Sequence, residues 1–188
     1  GMLHGEIGGP SVRPYQPPGL WEEGEKRGTF QQDHGQNLYR RSLYTAIRKT
    51  VPPPGMVLFD LPSREVCAIR RVRTNTPLQA LALMNEITYV EAAKMLAVRM
   101  LVQGTDPSER IAWGFQAVTQ RLPQQEELEV LRRGYERRLA KYRQQPDAAK
   151  ALISQGEMPA PEGLSIGELA AMTTVANVIL NLDEAINR

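Results

Sequence analysis

From residue 77 onward, apolar side chains recur three and four positions apart, the spacing that gathers them on one face of an α-helix. Thr76 followed by Pro77 predicts a helix start. The hydroxyl caps free N–H groups, and the proline lacks a donor that would have no partner there. Leu78, Leu81, Leu83 and Met84 supply the expected apolar face. The pattern breaks at 85–88 and resumes with Val90, Ala93, Leu96, Ala97, Met100 and Leu101, closed by Gly104. Asp106, Pro107 and Glu109 predict the next start, with Ile111, Phe115 and Val118 inward. A long helix from Pro123 to about Gln144 places Leu128, Leu131, Tyr135, Leu139 and Tyr142 on one side. Its glutamates come early and its arginines and lysine late, matching the dipole. A short helix over Asp147 to Gln155 follows Pro146. The last helix runs from a Ser165–Glu168 capping box to about Ile186 and is apolar on most sides, which suits the centre of a bundle.

Ahead of residue 77 the pattern is less regular. Residues 1–37 are rich in Gly and Pro, and Pro10, Pro14, Pro17 and Pro18 forbid a helix and disfavour a sheet interior. An extended arm is predicted, pinned across the helical body by Tyr15, Leu20, Trp21 and Phe30; the alternative is that these side chains line a pocket. Leu38–Lys49 reads as a helix with Leu38, Leu43 and Ile47 inward, joined by Tyr39 or Tyr44, and stopped by Pro52 to Pro54. The loop behind it carries Val57, Leu58, Phe59 and Leu61, so burial against the body is expected. Ser63–Ile69 suits a short helix with Val66 and Cys67 inward. No comparable strand signal appears. The fold expected is all-α, an irregular bundle of about six to eight helices with a Pro/Gly-rich extended N-terminal arm. The arm would be residues 1–37 and the helical domain 38–188.

Composition narrows this further. The chain has 188 residues, enough for one domain with an arm, and 41% are apolar against 6% aromatic. Its core should therefore be Leu, Ala, Val and Met. Charged residues reach 23% but nearly cancel at +2, which implies no polyanionic partner. One cysteine, Cys67, cannot form an internal disulfide and leaves the redox compartment undefined. No apolar run approaches a membrane span and no signal peptide opens the chain. Gly1 ahead of Met2 reads as a remnant of tag cleavage, so the chain is expected to be a piece of a larger protein.

Candidate chemistry is sparse. Asp33 and His34 form the one Asp–His pair, able in principle to orient an imidazole as base, but a local hydrogen-bonding role is the favoured reading. Cys67 could be a nucleophile only with His34 as its base, and a buried small hydrophobe is the better account. No metal site, CxxCH haem attachment or phosphate-binding glycine loop is present in the sequence. Arg64, Arg70, Arg71 and Arg73 crowd ten positions near Arg40 and Arg41. They are expected to staple loops to Asp60 and Glu65; the alternative is a site for a sulfated or carboxylated ligand. The basic run ERRLAKYR is balanced by Glu126, Glu127, Glu129 and Glu136 and reads as a solvated face rather than a nucleic-acid site. Asn177 and Asn181 lie one turn apart on the apolar last helix and need partners, for which Thr74, Asn75 and nearby carbonyls are the candidates.

The stretches GGPSVRPYQPPGLWE, RRSLYTAIRKTVPPPGMVLFDLPSREVC, RRVRTNTPLQALALMNEITYVEAA and ANVILNLDEAINR together resemble the C-terminal domain of planctomycete cytochrome-c-domain proteins, a planctomycete-specific family of unknown function. The likeness covers almost the whole chain. One departure is Glu86-Ile87, where relatives tend to carry Asp-Pro. The resemblance implies a full-length protein that is exported and extracytoplasmic, with haem c held in an upstream domain and no cofactor in this piece. It also implies a non-catalytic helical interaction module whose partners are upstream domains of the same polypeptide. Part of an enzyme acting on sulfated or acidic polysaccharide is the alternative. The family supplies no catalytic residues to transfer.

Overall fold

A computed structural model of the chain describes residues 1–20, 30–48, 50–63, 65–67, 69–70 and 74–187. Among these residues the fold is all-α, with eight α-helices and no strand. The helices are α1 (Pro54–Leu58), α2 (Pro77–Asn85), α3 (Ile87–Leu101), α4 (Pro107–Thr119), α5 (Gln125–Gln144), α6 (Pro146–Ile153), α7 (Ile166–Leu180) and α8 (Asp183–Ile186). The chain forms two compact units, Met2–Gln79 and Ala80–Arg188, the latter with Gly1. The arm-to-body border expected at 37/38 falls inside the first unit.

Among its described residues the first unit is built largely from extended chain and short turns. An arm interrupted by prolines cannot satisfy its backbone groups within itself, so it pairs with a later segment. His4 N–H donates to the Tyr39 carbonyl, Val12 N–H to that of Tyr44 and Ala46 N–H to that of Val12, each at 2.8 Å. These bonds make isolated parallel bridges between His4 and Arg40 and between Val12 and Thr45. They displace the helix expected over Leu38–Lys49. That segment instead forms 3-10 turns at Gly35–Tyr39 and Ser42–Tyr44, with Arg40 and Thr45 extended. Val12, Leu38 and Tyr39 are buried, whereas Leu43, assigned inward by its spacing, is exposed. Lys49 lies outside the described residues.

The proline loop is partly ordered by its own chemistry. Pro54 opens the one-and-a-half-turn helix α1, where a missing N–H costs nothing. Val51 is buried, but Val57 is exposed, so the loop's burial is only partial. The short helix expected at Ser63–Ile69 does not form among its described residues. Ser63 Oγ accepts only a long bond from the Glu65 N–H, 3.4 Å, and Glu65, Val66 and Ile69 lie in bends. Val66 and Cys67 are exposed rather than inward, and Ile69 is exposed as well. So short a helix needs a buried face to offset its nucleation, and its described residues supply none.

Within the first unit, Thr76 and Gln79 form a reciprocal capping pair at the start of α2. Thr76 N–H donates to Gln79 Oε1 at 2.8 Å and Gln79 N–H to Thr76 Oγ1 at 3.2 Å. The buried Gln79 amide also donates to the Leu58 carbonyl and to Thr74 Oγ1, and Thr74 in turn donates to Asp60. Burial here follows hydrogen bonding, and Leu78 is left exposed.

The second unit is a bundle around α7, whose Leu169, Ala170, Ala171, Met172, Val175, Ala176 and Ile179 are buried. It packs against α3, α4, α5, α6 and α8. The central position expected of the last helix is therefore observed. Small residues let helices approach closely: a Cβ at Gly114 on α4 would lie 2.6 Å from the sulfur of Met100 on α3. Helix α4 begins on Asp106, whose carboxylate accepts from Ser108 and Glu109 N–H. The expected Ser165 cap is absent, because the Ser165 side chain makes no bond to the turn it precedes. Helix α7 also stops at Leu180, six residues short of Ile186. Asn177 and Asn181 bond outward, their Nδ2 atoms donating to the carbonyls of Leu83 (3.0 Å) and Ala80 (3.2 Å). Their partners are thus backbone groups of α2 rather than Thr74 or Asn75. Leu83 is buried but Leu81 and Met84 are exposed, so only part of the expected face of α2 is used.

Candidate functional site

Of the residues singled out from the sequence, Asp33, His34, Cys67 and Arg70 lie among the described residues. Asp33 Oδ2 accepts from the Arg13 N–H at 2.6 Å, and Asp33 N–H donates to the Arg13 carbonyl at 2.9 Å. The carboxylate therefore ties two extended segments of the first unit together. His34 precedes the 3-10 turn at Gly35, is exposed, and gives that turn no side-chain cap. Arg70 is exposed, while Arg64, Arg71 and Arg73 lie outside the described residues. No three His, Cys, Asp or Glu side chains are grouped to hold a metal ion among the described residues. No described helix is long and apolar enough to cross a membrane.

A neighbour of the arginine cluster turns out to be the anchor of the first unit. Arg40 is buried, and its guanidinium donates to the carbonyls of Pro10 (3.1 Å), Glu6 (3.3 Å) and Gly8 while lying 3.9 Å over the Tyr44 ring. The Tyr44 hydroxyl accepts from Gly8 N–H at 2.9 Å. That bond is the first cause of a phenol pKa below its usual value, with Arg41 and Arg40 adding to it. One cation so gathers three carbonyls from residues 6–10, which lie outside any helix or sheet.

The second unit holds the densest buried polar group, and sequence reasoning missed it. Glu91 and Lys94 lie one turn apart on α3 and are both about fully buried, at 0% and 1% exposure. Lys94 Nζ donates to the carbonyls of Ile153 (3.2 Å), Gln155 (2.8 Å) and Met158 (2.7 Å). These lie at the C-terminus of α6 and in the loop behind it, where a helix leaves carbonyls unsatisfied. Glu91 Oε1 accepts from Met158 N–H at 2.5 Å. Gly156 has φ +76°, and a Cβ there would stand 2.2 Å from the Glu91 carboxylate carbon, so glycine is required on both counts. Burial lowers the Lys94 pKa, partly opposed by the Glu91 charge. With three N–H groups engaged by three carbonyls, the ammonium acts as a plug that fixes the 153–158 segment.

A shallow pocket of about 330 Å³ opens beside that segment, lined among others by Lys150, Ile153, Ser154, Met158, Pro159 and Ile166. A second polar knot lies between helices. Arg121 donates to both carboxylate oxygens of Glu127 (2.8 and 2.7 Å) and of Glu184 (2.9 and 2.6 Å), with its guanidinium 4.7 Å from the Phe115 ring. The Arg121 bonds, and then the Gln124 N–H, hold the Glu127 pKa down to about 2. This doubly bidentate arrangement closes α4, α5 and α8 onto one another.

The signal for Glu91 and Lys94 was available but ambiguous. Both flank the apolar stripe of a helix with only three charged residues, and an i, i+3 acid–base pair more often lies in solvent. Comparison with known proteins places the fold in context. Residues 1–135 match the model of the family described as PSD1, protein of unknown function (DUF1553). The chain belongs to this family. No curated protein and no solved structure matches it.

Proposed function

We propose that this member of the DUF1553 family is a non-catalytic helical module that docks against upstream domains of a longer polypeptide. The observation that carries the reading is the use made of the buried charges. Arg40, Glu91 and Lys94, the buried ionic side chains among the described residues, all bind backbone groups of their own unit. A general acid or base must present its titrating atom to a substrate, and these three are enclosed. Leu81 and Met84, exposed on a helix whose spacing marks them as apolar-face residues, support a surface that an upstream domain covers.

The longer protein is proposed to be an exported planctomycete protein that holds haem c upstream. That part rests on the motifs quoted from the sequence. The direct test is to express the upstream region as a separate chain beside residues 1–188. A stable complex is expected, weakened by Leu81→Asp with Met84→Asp. Absence of association between the two folded pieces would remove the proposal.

A further inference from the structure

Helix α5 carries a long exposed face of mixed charge. Helical spacing places Glu126, Glu129, Val130, Arg133, Arg137 and Lys141 along one side, and each of them is exposed. The opposite side packs inward through Tyr135 and the partly buried Leu128, Leu131, Leu139 and Tyr142. The outer face is acidic at its N-terminal end and basic at its C-terminal end. Its one internal ion pair, Arg133 to Glu129, is long at 3.9 Å.

The middle of this face holds Gly134, in the interior of a 20-residue helix. Glycine is unfavourable there relative to alanine, because it frees the unfolded backbone and packs nothing. A Cβ at Gly134 would meet no atom of the described residues within 4 Å, and its φ is not in the left-handed region. No steric demand among the described residues therefore calls for glycine, in contrast to Gly114 and Gly156. The complementarity of a helix to its own dipole explains acids early and bases late. It does not explain a gap at the centre.

We infer that α5 pairs antiparallel with α5 of a second copy of this chain. A two-fold axis between Arg133 and Gly134 sets Glu126 of one copy opposite Lys141 of the other. It sets Val130 opposite Arg137 and brings Glu129 beside Arg137. It also seats each Arg133 over the partner's Gly134, where the missing side chain leaves room. The same residues serve on both sides, as an isologous interface requires. At 1.5 Å per residue Glu126 and Lys141 are about 22 Å apart, so the charge pairs span several turns. A four-residue shift in one direction loses the Glu126–Lys141 pair and in the other still pairs Glu126 with Arg137, so the seating of Arg133 on the partner's Gly134 selects the register. The occupant is a second copy because one face supplies both complementary halves.

Sedimentation of the 188-residue chain at low and high salt tests this. Wild type is expected to self-associate reversibly, with the dissociation constant rising at least about tenfold between 20 mM and 500 mM salt as exposed charge pairs are screened. Arg137→Glu with Lys141→Glu makes the face acidic, and Glu126→Lys with Glu129→Lys makes it basic; each variant alone should be monomeric, and an equimolar mixture should associate. Gly134→Leu should weaken association at least about tenfold while far-UV circular dichroism shows an intact fold. A wild type monomeric at low salt and high concentration overturns the inference. So does a dimer that both charge variants and Gly134→Leu leave unchanged, or a pair of variants that fail to bind each other while remaining folded.

Discussion

The two units of this chain solve one problem in opposite ways. In the second, backbone groups are satisfied inside helices, and stability comes from burying leucine, methionine and alanine around α7. The buried charges Glu91 and Lys94 intervene only where helix α6 ends and its carbonyls have no intrahelical partner. In the first, an arm with four early prolines has no regular ladder, and single side chains collect its backbone: Arg40 takes three carbonyls and Asp33 one N–H. Packing holds the one and hydrogen bonding the other. A buried charge in this family member marks where the chain has run out of regular structure.

That contrast can be broken from either side. The largest effect is expected from Lys94→Met, which leaves Glu91 buried and three carbonyls without their donor. Removing one partner of a buried polar cluster costs roughly 3–5 kcal/mol, so chemical denaturation should show a lower midpoint with the slope unchanged. A loss below about 1 kcal/mol would mean that the 153–158 segment holds itself. Arg40→Ala is expected to cost less, about 1–3 kcal/mol for lost charged hydrogen bonds. Its effect should be local, seen as faster proteolysis within residues 1–20 before any change in helix content.

The smallest effect concerns acid. The Glu127 carboxyl sits at about 2 in the fold against an ordinary value of 4.5. A depressed carboxyl pKa stabilises the fold above the unfolded-state value and loses that contribution as pH falls through the folded one. The contribution should therefore fade between about pH 4.5 and pH 2. Because Arg121 and both glutamates are partly exposed, solvent screening keeps it modest. Glu127→Gln should flatten this part of the stability profile while leaving the neutral-pH midpoint slightly lower.

Much of the second unit was legible in the sequence, since each helix from α3 to α7 buries a face that recurs at helical spacing. The first unit was not. Leu38–Lys49 has the local pattern of a helix, but its backbone is claimed by Val12 and His4, some thirty residues away, and periodicity carries no trace of such pairing. Leu81 and Met84 show the converse limit: helical spacing marks an apolar face without saying whether the same unit covers it. Glu91 and Lys94 were hidden because burial of a charge depends on where α6 ends in space. The asparagines were closer. Their need for partners on the apolar last helix was readable, and of the candidates named around the 70–85 stretch it is backbone carbonyls that serve, those of Ala80 and Leu83 in α2 rather than of the loop before it.

Amide hydrogen exchange in the native state tests the contrast between the units most directly. Amides of α7 from Ala170 to Ile179 should exchange only through global unfolding, with free energies equal to that from denaturation. The bonded amides of His4, Val12 and Ala46 should open at least about 2 kcal/mol more easily, through local release of the arm. Equal protection in both sets would contradict the account, because the first unit would then share the packing that stabilises the second.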